Sequence, residues 1–207
     1  LAQPVPDDQV PQQHRVHGVL RLQQDGLALG VLRVDVDAHT LQVLRNMRRM
    51  ILKKSATIYP LATKLIQNIP KIEILYIAGL YHDIGKGRGA DHSDLGKSIA
   101  GKFCLKHKFK QEDKEIVEWL VVNHLLMSVK SQKEDLSDPN VISQFAKKVK
   151  TKERLDYMYC LTVADVSATN PNLWNSWNSS LLSELYNKTL EYLNNEDSVI
   201  LSPEENK

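Results

Sequence analysis

From residue 37 onward the apolar positions of the chain recur every three or four residues, the period of the α-helix, and no stretch sustains the two-residue alternation of a strand. Leu41, Leu44, Met47 and Ile51 form one such stripe, opposite Arg45, Arg48 and Arg49, with Asp37 as the N-cap. A second helix is predicted over 58–69, with Pro60 in its first turn and Pro70 ending it. The third, 71–83, is apolar nearly all round and belongs near the centre. A fourth, 93–107, carries Gly96 and Gly101, which let a neighbour approach closely. The fifth, 111–128, puts Ile116, Val117, Leu120, Val121 and His124 on one face. A polar connection over 130–138 leads to Pro139 and a helix ending near 149. Helices over 152–168 and 172–193 follow. Leu155, Met158, Leu161 and Asp165 share a face of the first, and Trp174 and Trp177 stand one turn apart in the second as expected core residues. The pattern predicts an all-α fold without an internal repeat.

Composition changes this picture at the two ends. Residues 1–33 hold Pro4, Pro6, Pro11 and six glutamines but no Lys, Ile, Asn, Ser, Thr, Phe, Tyr or Trp, all of which occur from position 40 onward. That break marks 1–33 as a linker or extraneous segment with little packed structure before Asp35, and 196–207 reads as a disordered tail. A net charge of +2 from 27 basic and 25 acidic residues gives no pull toward nucleic acid or anionic membrane. The longest apolar runs are too short to cross a bilayer, so a cytoplasmic protein is expected. Cys104 and Cys160 lie in helical patterns and read as core cysteines rather than a disulfide.

The chemistry gathers in the run His82-Asp83-Ile84-Gly85-Lys86-Gly87-Arg88-Gly89-Ala90-Asp91-His92-Ser93, which closes the third helix. An imidazole and a carboxylate side by side at an apolar helix end need something cationic, because an unpaired buried carboxylate is heavily penalised. His39 early in the first helix, His124 on the buried face of the fifth and Asp165 on that of a later one pose the same problem. One divalent cation resolves all of them. Mixed imidazole and carboxylate ligation suits Zn, Mn, Fe, Co or Mg alike. Adjacent helical positions project about 100° apart, so His82 and Asp83 flank one ion only at a helix end. Gly96-Lys97-Ser98 is not a phosphate-binding loop, since Asp91 stands where the earlier glycine is needed. No Ser-His-Asp arrangement or zinc cysteine cluster is visible.

The order His, His-Asp, His, Asp resembles the HD superfamily of metal-dependent phosphohydrolases, which are helical bundles. The wording is more specific. The run 82–93, then Asn123-His124-Leu125-Leu126-Met127-Ser128, then Leu161-Thr162-Val163-Ala164-Asp165 with Trp174 and Trp177 close behind, resembles the HD domain of the bifunctional uridylyltransferase/uridylyl-removing enzymes of bacterial nitrogen control. The likeness covers roughly 36–193, within an HD phosphohydrolase domain expected over 34–195. It implies a divalent metal at His39, His82, Asp83, His124 and Asp165, with His92 facing the same pocket. At such a site Asp83, Lys86 and His92 are the expected catalytic residues, Lys86 and Arg88 are suited to neutralise phosphate charge, and Asp91 is a second candidate for moving a proton. It implies removal of UMP from a uridylylated tyrosine of a PII-type signal protein, in an enzyme that also carries nucleotidyltransferase and ACT domains outside this chain. The alternatives are an HD phosphohydrolase acting on free nucleotides, or a regulatory domain that holds metal without turnover.

Overall fold

The computed structural model describes the backbone of residues 26–86, 92–170 and 173–200, and the side chains of all of these but 26–37, 92 and 196–200. Among the described residues the chain is all-helical. The helices are α1 Gly26–Met50, α2 Pro60–Ile66, α3 Ile72–Tyr81, α4 His92–Lys106, α5 Gln111–Asn123, α6 Leu126–Lys133, α7 Pro139–Val149, α8 Lys152–Thr169 and α9 Ser176–Ile200, with a 3-10 turn at Lys53–Thr57.

Local chemistry sets several of these boundaries. Pro60 opens α2 and Pro139 opens α7, where a missing N–H costs nothing. Asp138 and Thr151 cap α7 and α8, their side-chain oxygens accepting from the backbone N–H of Asn140 and Arg154. Lys150, in the left-handed region at φ 70°, turns the chain from α7 into α8.

The core is built around α8. Residues 157–164 are buried without interruption, and the helix packs on α1, α2, α3, α5, α6, α7 and α9. Its two buried tyrosine hydroxyls are paired, whereas the buried hydroxyls of Thr162 and Ser167 have no partner among the described residues. Tyr157 donates to the Lys71 carbonyl at 3.0 Å, and Tyr159 meets the Ser183 hydroxyl at 3.0 Å. Burial pushes the Tyr159 hydroxyl up to about 12 and raises the Cys160 thiol as well, so both stay neutral. Cys104 and Cys160 are free, buried core residues.

α3 and α5 lie side by side in the same direction. At their start, the Lys71 ammonium holds both Asp113 oxygens at 2.6 and 2.7 Å; at their end, His82 and His124 stand with ring centroids 5.3 Å apart. α4 fits between turns of α5 because it carries glycines. A Cβ on Gly96 would lie 3.1 Å from Val121, and one on Gly101 would overlap the Glu118 carboxylate.

Five expectations need correction. Helix α1 starts eleven residues before Asp37, since no proline interrupts 26–50, and among its described side chains Thr40, Val43, Asn46, Met47 and Met50 are buried. Leu41 and Ile51, placed on the inner stripe by period alone, are exposed. The predicted helix 111–128 is two helices, broken at His124 and Leu125, and α6 occupies the start of the expected polar connection. Trp174 precedes α9, packs on Tyr59 and donates its N–H to the Ile58 carbonyl, while Trp177 is 70% exposed and is no core residue. α9 also continues to Ile200, into the segment expected to be tail; 1–25 and 201–207 lie outside the described residues.

Candidate metal centre

The site forms where two helices end. A helix terminus leaves its last carbonyls without backbone partners. His82, the C-cap of α3, turns its Nδ1 onto the Gly79 carbonyl at 2.8 Å; His124, the C-cap of α5, does the same to the Val121 carbonyl at 2.8 Å. This side-chain capture of a last-turn carbonyl accounts for the break at His124. A carbonyl oxygen only accepts, so in both rings Nδ1 carries a proton and Nε2 is directed to the centre.

Asp83 lies between those two Nε2 atoms. Its Oδ2 is 3.4 Å from His82 Nε2 and 3.8 Å from His39 Nε2, and its Oδ1 is 3.6 Å from His124 Nε2. The carboxylate is 4% exposed, and Oδ1 has no hydrogen-bond partner. His39 enters from α1, with Nε2 3.3 Å from His82 Nε2 and 3.0 Å from Asp165 Oδ1. Asp165 enters from α8, 3.8 Å from His82 Nε2. All five residues expected at a metal therefore converge, and ligand atoms of His39, His82 and Asp83 lie within 4.8 Å of one another.

The electrostatics favour a cation. Burial lowers the pKa of His82 despite the nearby carboxylates of Asp83 and Asp165, which keeps the imidazole neutral and its lone pair free. Burial would raise Asp165, but the His39 hydrogen bond and the neighbouring imidazoles outweigh it and hold the carboxyl below its usual value. α3 and α5 both end here, and each C-terminus carries about half a negative charge. The neutral His82 Nε2 and the Asp83 Oδ2 at 3.4 Å set lone pair against lone pair, an arrangement that a shared cation turns from repulsive to favourable. Nitrogen and oxygen donors of this kind suit a divalent ion and do not choose among the first-row metals.

The loop that follows is only partly described. Lys86 is 51% exposed at its side chain and places its ammonium 2.5 Å from Asp83 Oδ2. Gly87, Arg88, Gly89 and Asp91 lie outside the described residues, as does the side chain of His92, whose backbone opens α4.

Asn46, which the sequence pattern did not single out, supports the site from behind. It is 2% exposed, donates to the Ala164 carbonyl at 3.0 Å and accepts from Gln42 at 3.0 Å. It stands two helical turns after His39 and contacts the residue before Asp165, so it ties together the helices that carry both groups. A polar residue seven positions from His39 was the available signal. Truncation strands the buried partners, so Asn46→Ala should cost about 1–3 kcal/mol in urea unfolding. A loss below about 0.5 kcal/mol, the range of neutral surface changes, would deny it that role.

The HD domain family matches residues 36–169. A protein of Azotobacter vinelandii (strain DJ) named bifunctional uridylyltransferase/uridylyl-removing enzyme is 56% identical over 154 residues, which cover 74% of this chain and 17% of that protein. One of the same name from Stutzerimonas stutzeri is also 56% identical over 154 residues, again 74% of this chain and 17% of the relative. Another from Pseudomonas putida (strain W619) is 50% identical over 174 residues, 81% of this chain and 19% of the relative. The chain thus spans under a fifth of the length of these curated relatives. Among the described residues no helix is long and apolar enough to cross a membrane.

Proposed function

Because the chain belongs to the HD domain family, we propose that it is a metal-dependent phosphodiester hydrolase that removes UMP from the uridylylated tyrosine of a PII-type nitrogen signal protein. The observation that carries the hydrolase reading is the buried cluster of His39, His82, Asp83, His124 and Asp165, in which two carbonyl-anchored imidazoles flank one carboxylate, His82 at Oδ2 and His124 at the partnerless Oδ1. The substrate rests on the printed names of the relatives, which are uridylyl-removing enzymes.

His39, His82, Asp83, His124 and Asp165 would hold the ion. When bound, it supplies Lewis acidity, activating water toward neutrality and polarising a phosphoryl oxygen. The remaining work falls to the chain. The Gly79 and Val121 carbonyls orient His82 and His124, so their donor atoms need no reorganisation. Lys86 stands at the exposed side of the cluster, within reach of an incoming phosphate, and Arg88 is proposed to share in neutralising that phosphate. His92 at the head of α4 is the proposed proton carrier. The leaving tyrosine phenolate has a reference pKa of about 10, so its departure needs less protonation than that of an alcohol.

The test is elemental analysis of the purified chain, together with UMP release from a uridylylated PII-type protein before and after EDTA treatment. Bound metal and EDTA-sensitive UMP release are expected together. Hydrolysis of free nucleotides without UMP release from protein would move the substrate to nucleotides. Metal without turnover of any phosphodiester would reduce the domain to a metal-holding regulator, and absence of metal would remove the reading altogether.

A further inference from the structure

We infer that the Lys86 ammonium is a displaceable counter-ion of Asp83, and that a divalent cation must evict it from Oδ2 to complete the site. This rests on the metal-dependent reading above and goes beyond it by coupling metal entry to release of a phosphate-binding group.

One oxygen carries the argument. Asp83 Oδ2 faces His82 Nε2 at 3.4 Å and His39 Nε2 at 3.8 Å, and it also bonds the Lys86 ammonium at 2.5 Å. It belongs to the donor set closest to satisfying an ion, and it is already neutralised by a cation of the chain itself. A dication drawing on the same oxygen would sit beside that ammonium, and like charges so close repel even at a high effective dielectric. The carboxylate cannot shift to relieve this, being 3% exposed at its side chain and flanked by three imidazoles. Lys86 can shift. Its backbone N–H is fixed to the Asp83 carbonyl at 2.9 Å, while its half-exposed side chain carries the charge on a flexible stem toward solvent.

The pairing has a reason of its own. Without a cation, Asp83 would be a buried carboxylate with no partner on either oxygen, which folding penalises strongly. Lys86 relieves that cost in the protein before metal arrives. Once displaced, it leaves a cation without a counter-ion at the mouth of the site. Metal binding is then weaker than the ligand set alone would give, and anion binding is stronger after metal than before, a coupling that must act in both directions.

The test is calorimetric titration of EDTA-treated protein with Mn²⁺. Lys86→Met removes the competitor and should bind Mn²⁺ about tenfold more tightly than wild type. Equal or weaker binding overturns the inference, since it would make Lys86 a support for Asp83 instead of its competitor. Because the variant leaves Asp83 buried and unpaired, it is paired with a measurement on the wild type. The ¹⁵N resonance of the Lys86 ammonium should move from an ion-paired to a solvated position on addition of Zn²⁺; a resonance that stays in place also overturns the inference. Wild-type protein that binds neither ion would instead overturn the metal reading on which it rests.

Discussion

Asp83→Asn is expected to leave the fold intact and the site inert. The exchange keeps the shape of the side chain but removes the one charge that all three imidazoles face. It also presents an amide NH₂ where an oxygen is needed. Loss of a metal that activates water and polarises phosphate is worth several kcal/mol of transition-state stabilisation, so UMP release should fall about 10³-fold or more, ~4 kcal/mol or above. The effect on stability should have the opposite sign. Asp83 is buried with Oδ1 unpartnered, and a neutral amide relieves that desolvation cost while giving up only the ion pair from Oδ2 to the half-exposed Lys86, which solvent screens. The metal-free variant should therefore unfold at the same temperature as wild type or higher, while the stabilisation that wild type gains from added metal disappears. The two readings separate ligand from scaffold: metal-dependent turnover at wild-type rate in Asp83→Asn would remove Asp83 from the site, and a collapse in stability would make its role structural.

The parts of this site that could be read from sequence are those where a polar residue interrupts an apolar pattern. His82, Asp83, His124 and Asp165 each stand where helical periodicity calls for an apolar side chain, and the structure brings them together. The all-helical class followed from the same period. What the pattern could not reveal is the device that orients the ligands. His124 appears in sequence as an inward position of one long helix, and only its Nδ1 bond to the Val121 carbonyl shows that the helix ends there. The phase of α1 was also out of reach. Leu41 and Ile51 match a helical stripe, yet the buried stripe includes Thr40 and Asn46, polar residues whose place depends on partners from other helices. Exposed Trp177 makes the same point from the other side, since hydrophobicity alone does not say what a residue faces.

Leu161→Ala should show how far the core and the site depend on one another. Leu161 is fully buried in α8, one turn before Asp165 and on the same face. Truncating a buried leucine costs about 2–5 kcal/mol, depending on how far the cavity collapses. For a chain of this size that corresponds to a fall of about 4–20 °C in Tm without metal. Metal at about a hundred times its Kd stabilises the native state by ~2.7 kcal/mol, by mass action, provided that the native site is unchanged. That increment should be the same in the variant as in wild type. Asp165 is not positioned by Leu161 alone: the His39 bond at 3.0 Å and the Asn46 bond to the Ala164 carbonyl fix the end of α8 from the side of α1. A cavity one turn away then costs stability without moving the carboxylate. An increment in Leu161→Ala smaller than that of wild type by more than ~1 kcal/mol, beyond the scatter expected of independent sites, would show that the cavity reaches the ligands and that core packing, rather than the α1 clamp, sets the position of Asp165.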